Sequence, residues 1–411
     1  MAVLAEKGLH HVDFDLIREV VVPAETKIVL LVMDGLGGLP HPKTRRTELE
    51  TADIPHLDRL AEEGICGLVQ HVGVGITPGS GPGHLSLFGY DPLRYRIGRG
   101  ALEAVGVDFD LGRRDVAARG NFCTVDEGGR VVDRRAGRID TDTCARLCAE
   151  LRTIELPGSE LFVEPVREHR FLLVLRGDGL SDALSESDPQ KEGVPPLDVC
   201  AEAAEAEATA ALVRTFVERA RERLREHHPA NMVLLRGFAK PPDMPQFPDV
   251  FGLRAAAIAY YPMYRGLAKL AGMTALPAGP SLSDSLASLR EHWGRFDFFF
   301  VHYKATDSAG EDGDFQRKVQ KLEEVDAFIP DLLALGPDVL VVTGDHATPS
   351  TYRAHSWHPV PFLLHSRWCL PDRAGAFNES DCQQGSLGVF PATEVMPLAM
   401  AHAGRFTKYG A

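Results

Sequence analysis

Short runs of apolar residues alternate with helical patterns along much of the chain. The run over 27–33 is typical of a strand buried on both faces of a parallel sheet. Pro55 and Gly64 delimit a helix over 54–63, because proline fits a first helical turn and glycine the position after the last one. Further apolar runs predict strands at 296–301, 338–343 and 359–364. Helical spacing between the first two of these runs completes a strand, helix, strand order, which predicts an α/β fold with a doubly wound, mostly parallel sheet.

The middle of the chain has a different character. An apolar run at 170–176 predicts a strand, and residues 212–224 repeat apolar side chains every four positions. That repeat predicts a long amphipathic helix, which we expect to end at Pro229. A proline-rich stretch at 241–248 is typical of a linker. We therefore expect two domains. Residues 1–111 and 246–411 form a core domain, and residues 112–245 form a smaller α/β domain inserted into it.

Composition restricts the function. The chain of 411 residues is 44% hydrophobic and 25% charged, which is ordinary for a globular protein with a sizeable core. The formal net charge of −14 leaves no basic excess to neutralise a nucleic-acid backbone, so we expect no nucleic-acid partner. Seven scattered cysteines without a CxxC pair predict neither a disulfide framework nor a zinc cluster. The apolar runs are shorter than a membrane span, and the N-terminus lacks a signal-peptide pattern, so we expect a soluble, cytoplasmic protein with no membrane partner.

Two places in the N-terminal part carry side chains suited to phosphate or metal chemistry. Asp34 directly follows the first predicted strand, and open α/β sheets place their active sites at strand carboxyl ends. Ser80 lies in a glycine- and proline-rich turn before an apolar helix start, where backbone N–H groups stabilise an anion such as a phosphoryl group. Each alone is also explained as an ordinary turn. The spacing of the nearby glycines matches neither a GxGxxG dinucleotide loop nor a GxSxG hydrolase elbow.

A third place combines two carboxylates shortly after the predicted strand at 296–301. Asp307 and Glu311 are four residues apart, so a helical turn brings them to the same side, where two oxygens can bind one cation. A surface charge cluster over 311–314 is the alternative interpretation of the same residues.

The fourth place is the most specific. Asp345 and His346 follow the predicted strand at 338–343, and His355 and His358 lie just downstream. Oxygen and nitrogen donors clustered in this way are the ligands that zinc, manganese and similar divalent ions favour. A lone histidine is usually a core residue, but the clustering argues against that explanation here.

These residues together predict two cation sites beside a serine nucleophile. Two cations a few ångströms apart clamp the attacking and leaving oxygens of an in-line phosphoryl displacement and lower the pKa of the serine. The pattern therefore predicts phosphoryl transfer on a small phosphorylated substrate. The residues proposed for this site are Asp34, Ser80, Asp307, Glu311, Asp345, His346 and His355.

Several segments resemble one known family, in the same order and nearly from end to end. The chain is similar to the archaeal-type, 2,3-bisphosphoglycerate-independent phosphoglycerate mutases of the alkaline phosphatase superfamily. The segments that carry the resemblance are Asp34-Gly35, 79–92, Arg119-Gly-Asn121, 175–182, Gly344-Asp-His346 and 355–361.

The resemblance implies an isomerase that interconverts 3-phosphoglycerate and 2-phosphoglycerate in glycolysis and gluconeogenesis through a phosphoserine on Ser80. It implies one metal shell of Asp34, Ser80, Asp345 and His346, and another of Asp307, Glu311 and His355. Manganese is the metal expected first, with zinc, cobalt and magnesium as alternatives, and no 2,3-bisphosphoglycerate is required. The residues that it implies for substrate binding are Arg119, Asn121, Arg138, Arg176, Lys191, Arg236 and Arg265.

Two positions depart from the family pattern. Glu311 and Gln190 stand where histidines are expected, and a carboxylate at 311 shifts the metal preference toward manganese or magnesium. The departures keep open a related phosphotransferase, such as a homoserine kinase-like enzyme, or a phosphatase. A binding protein without activity is disfavoured because Ser80 and six ligand candidates are intact. Homo-oligomer formation stays open as well.

Overall fold

The computed structural model describes residues 12–410, in which helices and strands alternate. The strands are, in chain order, β1 Ile28–Met33, β2 Ile65–Gln70, β3 Asp115–Val125, β4 Val131–Asp133, β5 Glu160–Arg167, β6 Arg170–Arg176, β7 Met232–Ala239, β8 Ala255–Ile258, β9 Thr274–Ala275, β10 Phe298–Tyr303, β11 Val339–Thr343, β12 Val360–Ser366 and β13 Val389–Pro391. The α-helices are α1 Phe14–Val20, α2 Glu48–Thr51, α3 Pro55–Glu63, α4 Ser80–Leu87, α5 Arg99–Gly106, α6 Thr141–Leu151, α7 Glu207–Leu224, α8 Phe247–Phe251, α9 Pro262–Leu270, α10 Leu282–His292, α11 Ala305–Asp312, α12 Phe315–Leu333, α13 Glu379–Cys382 and α14 Val395–His402.

The described chain divides into two compact units. The first unit contains residues 12–96 and 244–410, and the second contains residues 97–243. The second unit begins ahead of the predicted boundary at 112, because α5 packs against β3 and β7. Gly100 of α5 lies so close to β3 that an added Cβ would be 2.1 Å from the carbonyl oxygen of Ala117.

The first unit is built on an eight-stranded sheet in the order β13-β2-β12-β11-β1-β10-β8-β9. Only β12 runs against its neighbours in this order, being antiparallel to both β11 and β2, so the predicted mostly parallel α/β sheet is confirmed. All six residues of β1 are buried, as its continuous apolar run predicts. Since β10, β1 and β11 are parallel neighbours, their carboxyl ends reach the same edge of the sheet.

The helices of the first unit follow their sequence signals closely. The predicted helix at 54–63 is α3, which begins at Pro55 and ends before Gly64.

Strand β10 begins two residues later than the predicted run at 296–301 and extends to Tyr303. The carboxylate of Asp297 binds the Arg254 guanidinium at 2.7 and 2.9 Å instead of lying within the strand.

The second unit contains a five-stranded antiparallel sheet. Its order is β4-β3-β6-β5, and β7 also pairs with β3. One buried apolar cluster joins this sheet to α6 and α7 and includes Phe122, Phe171 and Phe216. The predicted strand at 170–176 is β6, and the predicted amphipathic helix is α7, which ends at Leu224 and not at Pro229, because the chain turns over 224–230.

No helix within residues 12–410 is both long enough and apolar enough to span a membrane. All seven cysteines have free thiols, and five of them are buried.

Candidate metal and nucleophile centre

Polar side chains from distant parts of the sequence meet at the carboxyl edge of the first unit's sheet. Asp34 follows β1, Asp307 lies on α11 just after β10, and Asp345 with His346 follows β11. These side chains converge because β10, β1 and β11 are adjacent and parallel. Ser80 is the first residue of α4.

The first group consists of Asp34, Asp345 and His346. One donor atom from each lies within 4.8 Å of the others, and all three side chains are fully buried. His346 Nε2 is 3.3 Å from Asp34 Oδ1 and 3.2 Å from Asp345 Oδ2. The hydroxyl oxygen of Ser80 lies 3.3 Å from the same nitrogen, so the serine oxygen adjoins this group.

The second group consists of Asp307, His346 and His355, and it shares His346 with the first. His355 Nε2 is 3.7 Å from Asp307 Oδ1, and the His346 and His355 rings stack with centroids 3.6 Å apart. Glu311 lies at the edge of this group: its Oε1 is 3.9 Å from His355 Nε2, and its side chain is 55% exposed.

The donor set fits divalent cations. Carboxylate oxygens and imidazole nitrogens in groups of three are the ligands that zinc and manganese bind. Asp345 Oδ2 is buried and makes no hydrogen bond with any residue that the structure describes, although the ring nitrogens of His84 and His346 each lie 3.2 Å from it. A cation in the first group would give this oxygen a further partner of opposite charge.

The protonation states of the first group also favour cation binding. Burial and Asp34 raise the pKa of Asp345, but His346 and His84 outweigh them and lower it to about 2. Burial lowers the pKa of His346, but Asp345, Asp34 and Asp307 together raise it to about 8. The Asp345 carboxylate is therefore ionised at neutral pH, and a cation would take the place of the His346 proton.

Three residues that the sequence patterns did not single out also contact this centre. His302 Nε2 is 2.8 Å from Asp34 Oδ2. Lys304 Nζ lies 2.6 Å from Asp307 Oδ2 and 3.2 Å from Asp34 Oδ1, so its charge lies between the two groups. His84 Nδ1 lies 2.8 Å from the Ser80 carbonyl oxygen and 3.2 Å from Asp345 Oδ2. The first two could have been found from their position at the end of the strand that precedes Asp307.

A strongly basic cavity of about 360 Å³ lies within the second unit. Four of the predicted substrate-binding residues line it, together with five that were not predicted. The predicted ones are Arg119, Asn121, Arg138 and Arg236, and the others are Arg134, Arg135, Glu168, His169 and Arg170.

Buried carboxylates hold several arginines of the cavity. Arg119 pairs with Glu103 at 2.6 Å, and Arg134 pairs with Asp188 at 2.6 Å. Arg236 lies 3.6 Å from the same Asp188. Fixed guanidinium groups are well suited to bind carboxylate or phosphate oxygens, since two N–H groups can bind one anion.

The other three predicted substrate-binding residues lie elsewhere. Arg176 makes two hydrogen bonds with Asp115, at 2.6 and 2.7 Å, and its guanidinium lies over the Phe162 ring. Lys191 is not among the residues that line the cavity. Arg265 lies on α9 of the first unit.

Known proteins resemble this chain over nearly its whole length. Residues 61–231 match the family model described as 2,3-bisphosphoglycerate-independent phosphoglycerate mutase. A protein of Thermus thermophilus, named as a probable enzyme of this kind, is 51% identical over 97% of this chain and 99% of its own. A Thermotoga maritima protein with the same name is 48% identical over 97% and 99%.

Solved structures agree with the sequence relatives. The cofactor-independent phosphoglycerate mutase from Thermoplasma acidophilum superposes with a TM-score of 0.78 at 30% identity, covering 92% of this chain and 100% of that chain. A Pyrococcus horikoshii protein gives the same TM-score at 28% identity, covering 95% and 100%. This chain therefore belongs to the 2,3-bisphosphoglycerate-independent phosphoglycerate mutases.

Proposed function

We propose that this mutase transfers the phosphoryl group through a covalent phosphoserine on Ser80, beside two divalent cations, and so interconverts 3-phosphoglycerate and 2-phosphoglycerate. One observation carries the proposal. The Ser80 hydroxyl oxygen lies 3.3 Å from Nε2 of His346, the residue that both ligand groups share. A serine in that position is a nucleophile with its activating groups already in contact.

The residues that would hold the cations follow from the two groups. Asp34, Asp345 and His346 would hold one with the Ser80 oxygen, and Asp307 and His355 would hold the other, with Glu311 as an additional ligand at its edge. Bound there, divalent cations supply positive charge that stabilises the phosphoryl oxygens and lowers the pKa of the serine hydroxyl. Manganese is the ion we expect first, with zinc, cobalt and magnesium as alternatives.

The protein itself supplies further stabilisation of the transferred group. Ser80 opens α4, with Gly79 as its extended N-cap, so the unpaired N–H groups of the first turn lie next to the phosphoserine position. The Lys304 ammonium, placed between Asp34 and Asp307, adds a fixed positive charge to the same site. Burial strengthens these interactions, since little solvent screens them.

The proposed reaction is balanced without added phosphate. The Ser80 hydroxyl loses its proton and its oxygen forms a bond to phosphorus, while the bond from phosphorus to the glycerate oxygen breaks and that oxygen takes up a proton. The glycerate then presents its other hydroxyl, which loses its proton and attacks the phosphoserine, and the released Ser80 oxygen takes up a proton. We propose that the arginines of the second unit's cavity, among them Arg119, Arg138 and Arg236, bind the anionic groups of the substrate.

Replacement of the nucleophile tests the proposal. Ser80→Ala should lower the rate of 2-phosphoglycerate formation from 3-phosphoglycerate by at least about 10³-fold, because covalent catalysis of this kind has no substitute for its nucleophile. The assay is coupled to enolase and contains manganese but no 2,3-bisphosphoglycerate. Ser86→Ala is the matched control, since its hydroxyl donates to Gly83 O on the same helix and its loss should leave most activity. Retained activity in Ser80→Ala would overturn the covalent mechanism.

A further inference from the structure

Thr348 contacts both ligand groups. Its side chain is fully buried, and its hydroxyl oxygen is 2.6 Å from Asp307 Oδ1 and 2.9 Å from His346 Nδ1. One hydroxyl therefore contacts a residue of the second group and the residue that both groups share.

The direction of the two hydrogen bonds follows from a count of protons. The hydroxyl has one proton, and an ionised carboxylate can only accept. The proton must therefore point to Asp307, because two oxygen lone pairs would otherwise face each other at 2.6 Å. The hydroxyl oxygen is then left as the acceptor for His346, whose Nδ1 carries a proton. The opposite ring nitrogen, Nε2, is thereby kept for Asp34, Asp345 and Ser80, at 3.2–3.3 Å.

The backbone of Thr348 is held in place from three sides. Its N–H donates to Gly35 O at 3.3 Å and to Gly37 O at 3.1 Å. Its carbonyl oxygen accepts a hydrogen bond of 2.9 Å from the buried Lys318 ammonium. On the third side, an added Cβ on Gly310 would lie 2.1 Å from that same oxygen. The hydroxyl thus has a fixed position relative to the loop that carries Asp34 and the helix that carries Asp307.

We infer that Thr348 is a positioning residue that couples the two cation sites, since a single hydroxyl orients His346 for the first site and Asp307 for the second. The inference rests on the proposed function. Loss of the hydroxyl frees one ligand in each group, so both cation affinities fall together. Loss of a histidine that belongs to the second group alone, such as His355, would remove a ligand from one cation site and not from both.

The test measures manganese binding to chelator-treated full-length protein by calorimetry, with free manganese followed by electron paramagnetic resonance. Thr348→Val keeps the shape and removes the hydroxyl, and it should weaken both sites about 10- to 100-fold, the usual effect of losing a partner of a metal ligand. Thr348→Ser restores the hydroxyl and should bind both ions within about 3-fold of the parent chain. Should Thr348→Val fail to fold, Thr348→Ala is measured in its place.

The outcomes separate the inference from the proposed function. Two manganese ions per parent chain, with both sites weakened in Thr348→Val and restored in Thr348→Ser, support the coupling. Parent-like affinity in Thr348→Val, or weakening at one site alone, overturns the inference and leaves the proposed function standing. No binding of manganese, zinc, cobalt or magnesium by the parent chain overturns the proposed function itself. Thermal unfolding of the metal-free proteins is recorded in parallel, because a merely structural role would lower the unfolding temperature without changing the manganese affinities.

Discussion

Replacement of Lys318 should destabilise the first unit. The side chain is fully buried, and its ammonium donates to the carbonyl oxygens of Gly35, Gly37 and Thr348 at 2.9, 3.0 and 2.9 Å. These carbonyls belong to the loops after β1 and β11, which carry Asp34 and Asp345, two of the candidate ligands. Lys318→Met keeps a long apolar stem and removes only the charge and its donors.

The size of the effect follows from opposing contributions. Each bond from an ammonium to a carbonyl is worth about 1.5–3 kcal/mol. Burial of the ammonium removes it from water, which costs several kcal/mol and lowers the pKa of Lys318. A methionine side chain avoids this cost, so this contribution opposes the loss of the hydrogen bonds. Gly35 O and Gly37 O keep the Thr348 N–H as a donor, whereas Thr348 O loses its bond to the ammonium. We expect a net loss of about 2–4 kcal/mol in the free energy of unfolding.

Tryptophan fluorescence isolates the unit in question. The three tryptophans of the chain are Trp293, Trp357 and Trp368, and all of them lie in the first unit. A urea titration of chelator-treated protein, followed by this fluorescence, therefore reports the unfolding of the first unit and not of the second. Circular dichroism measured on the same samples follows both.

A second lysine on the same helix is the control. Lys321 pairs with Glu324 in a more accessible position, so Lys321→Met should change the free energy of unfolding by no more than about 1 kcal/mol. A change in Lys318→Met that is no larger than in this control would refute the reasoning. Increased stability would show that the desolvation of the ammonium outweighs its three hydrogen bonds.

Three further predictions concern metal and pH. Chelation should abolish mutase activity, and added Mn²⁺ or Co²⁺ should restore it; full activity in a sample verified as metal-free would contradict the two-cation site. Glu311→Ala should reduce manganese occupancy of the second group alone, and Glu311→His should retain occupancy with a preference for softer ions, whereas full occupancy in Glu311→Ala would identify a surface carboxylate. Burial lowers the pKa of His71 from its ordinary 6.5 to about 4. Between pH 6.5 and about pH 4 the unfolded chain therefore binds more protons than the folded chain, and the folded state loses stability as the pH falls through this range. The loss should approach about 3 kcal/mol in urea titrations of metal-free protein, and His71→Gln should remove that part of the pH dependence.

The meeting of the main candidate ligands at one place could be predicted because it depends on one general property of α/β sheets. Asp34, Asp345 and His346 directly follow apolar runs, and parallel strands carry such positions to one edge. His302 and Lys304 were missed because β10 ends two residues later than its apolar run. That shift depends on the register of β10 with β1, which the apolar run alone does not show.

The basic cavity was predicted only in part because it depends on antiparallel pairing. Arg119 of β3 lies opposite Arg236 of β7, and Asn121 lies opposite Arg170 of β6. These pairings join segments far apart in the sequence. Arg176, which the family resemblance implies for substrate binding, pairs with Asp115 on the neighbouring strand, a partner that is apparent only once the strands are aligned; its role in substrate binding stays a prediction.

The most direct test of the account is to find the phosphoryl group on the protein. Full-length enzyme with manganese is mixed with 3-phosphoglycerate, without ATP or 2,3-bisphosphoglycerate, quenched in acid and mapped by mass spectrometry, with Ser80→Ala as the control. Phosphorylation that requires ATP would indicate a kinase, and free phosphate released in step with substrate loss would indicate a phosphatase. We expect one phosphoryl group on the peptide that contains Ser80, absent from the variant and from samples without substrate. Turnover with no phosphate on that peptide, or with phosphate on another residue, would contradict the account.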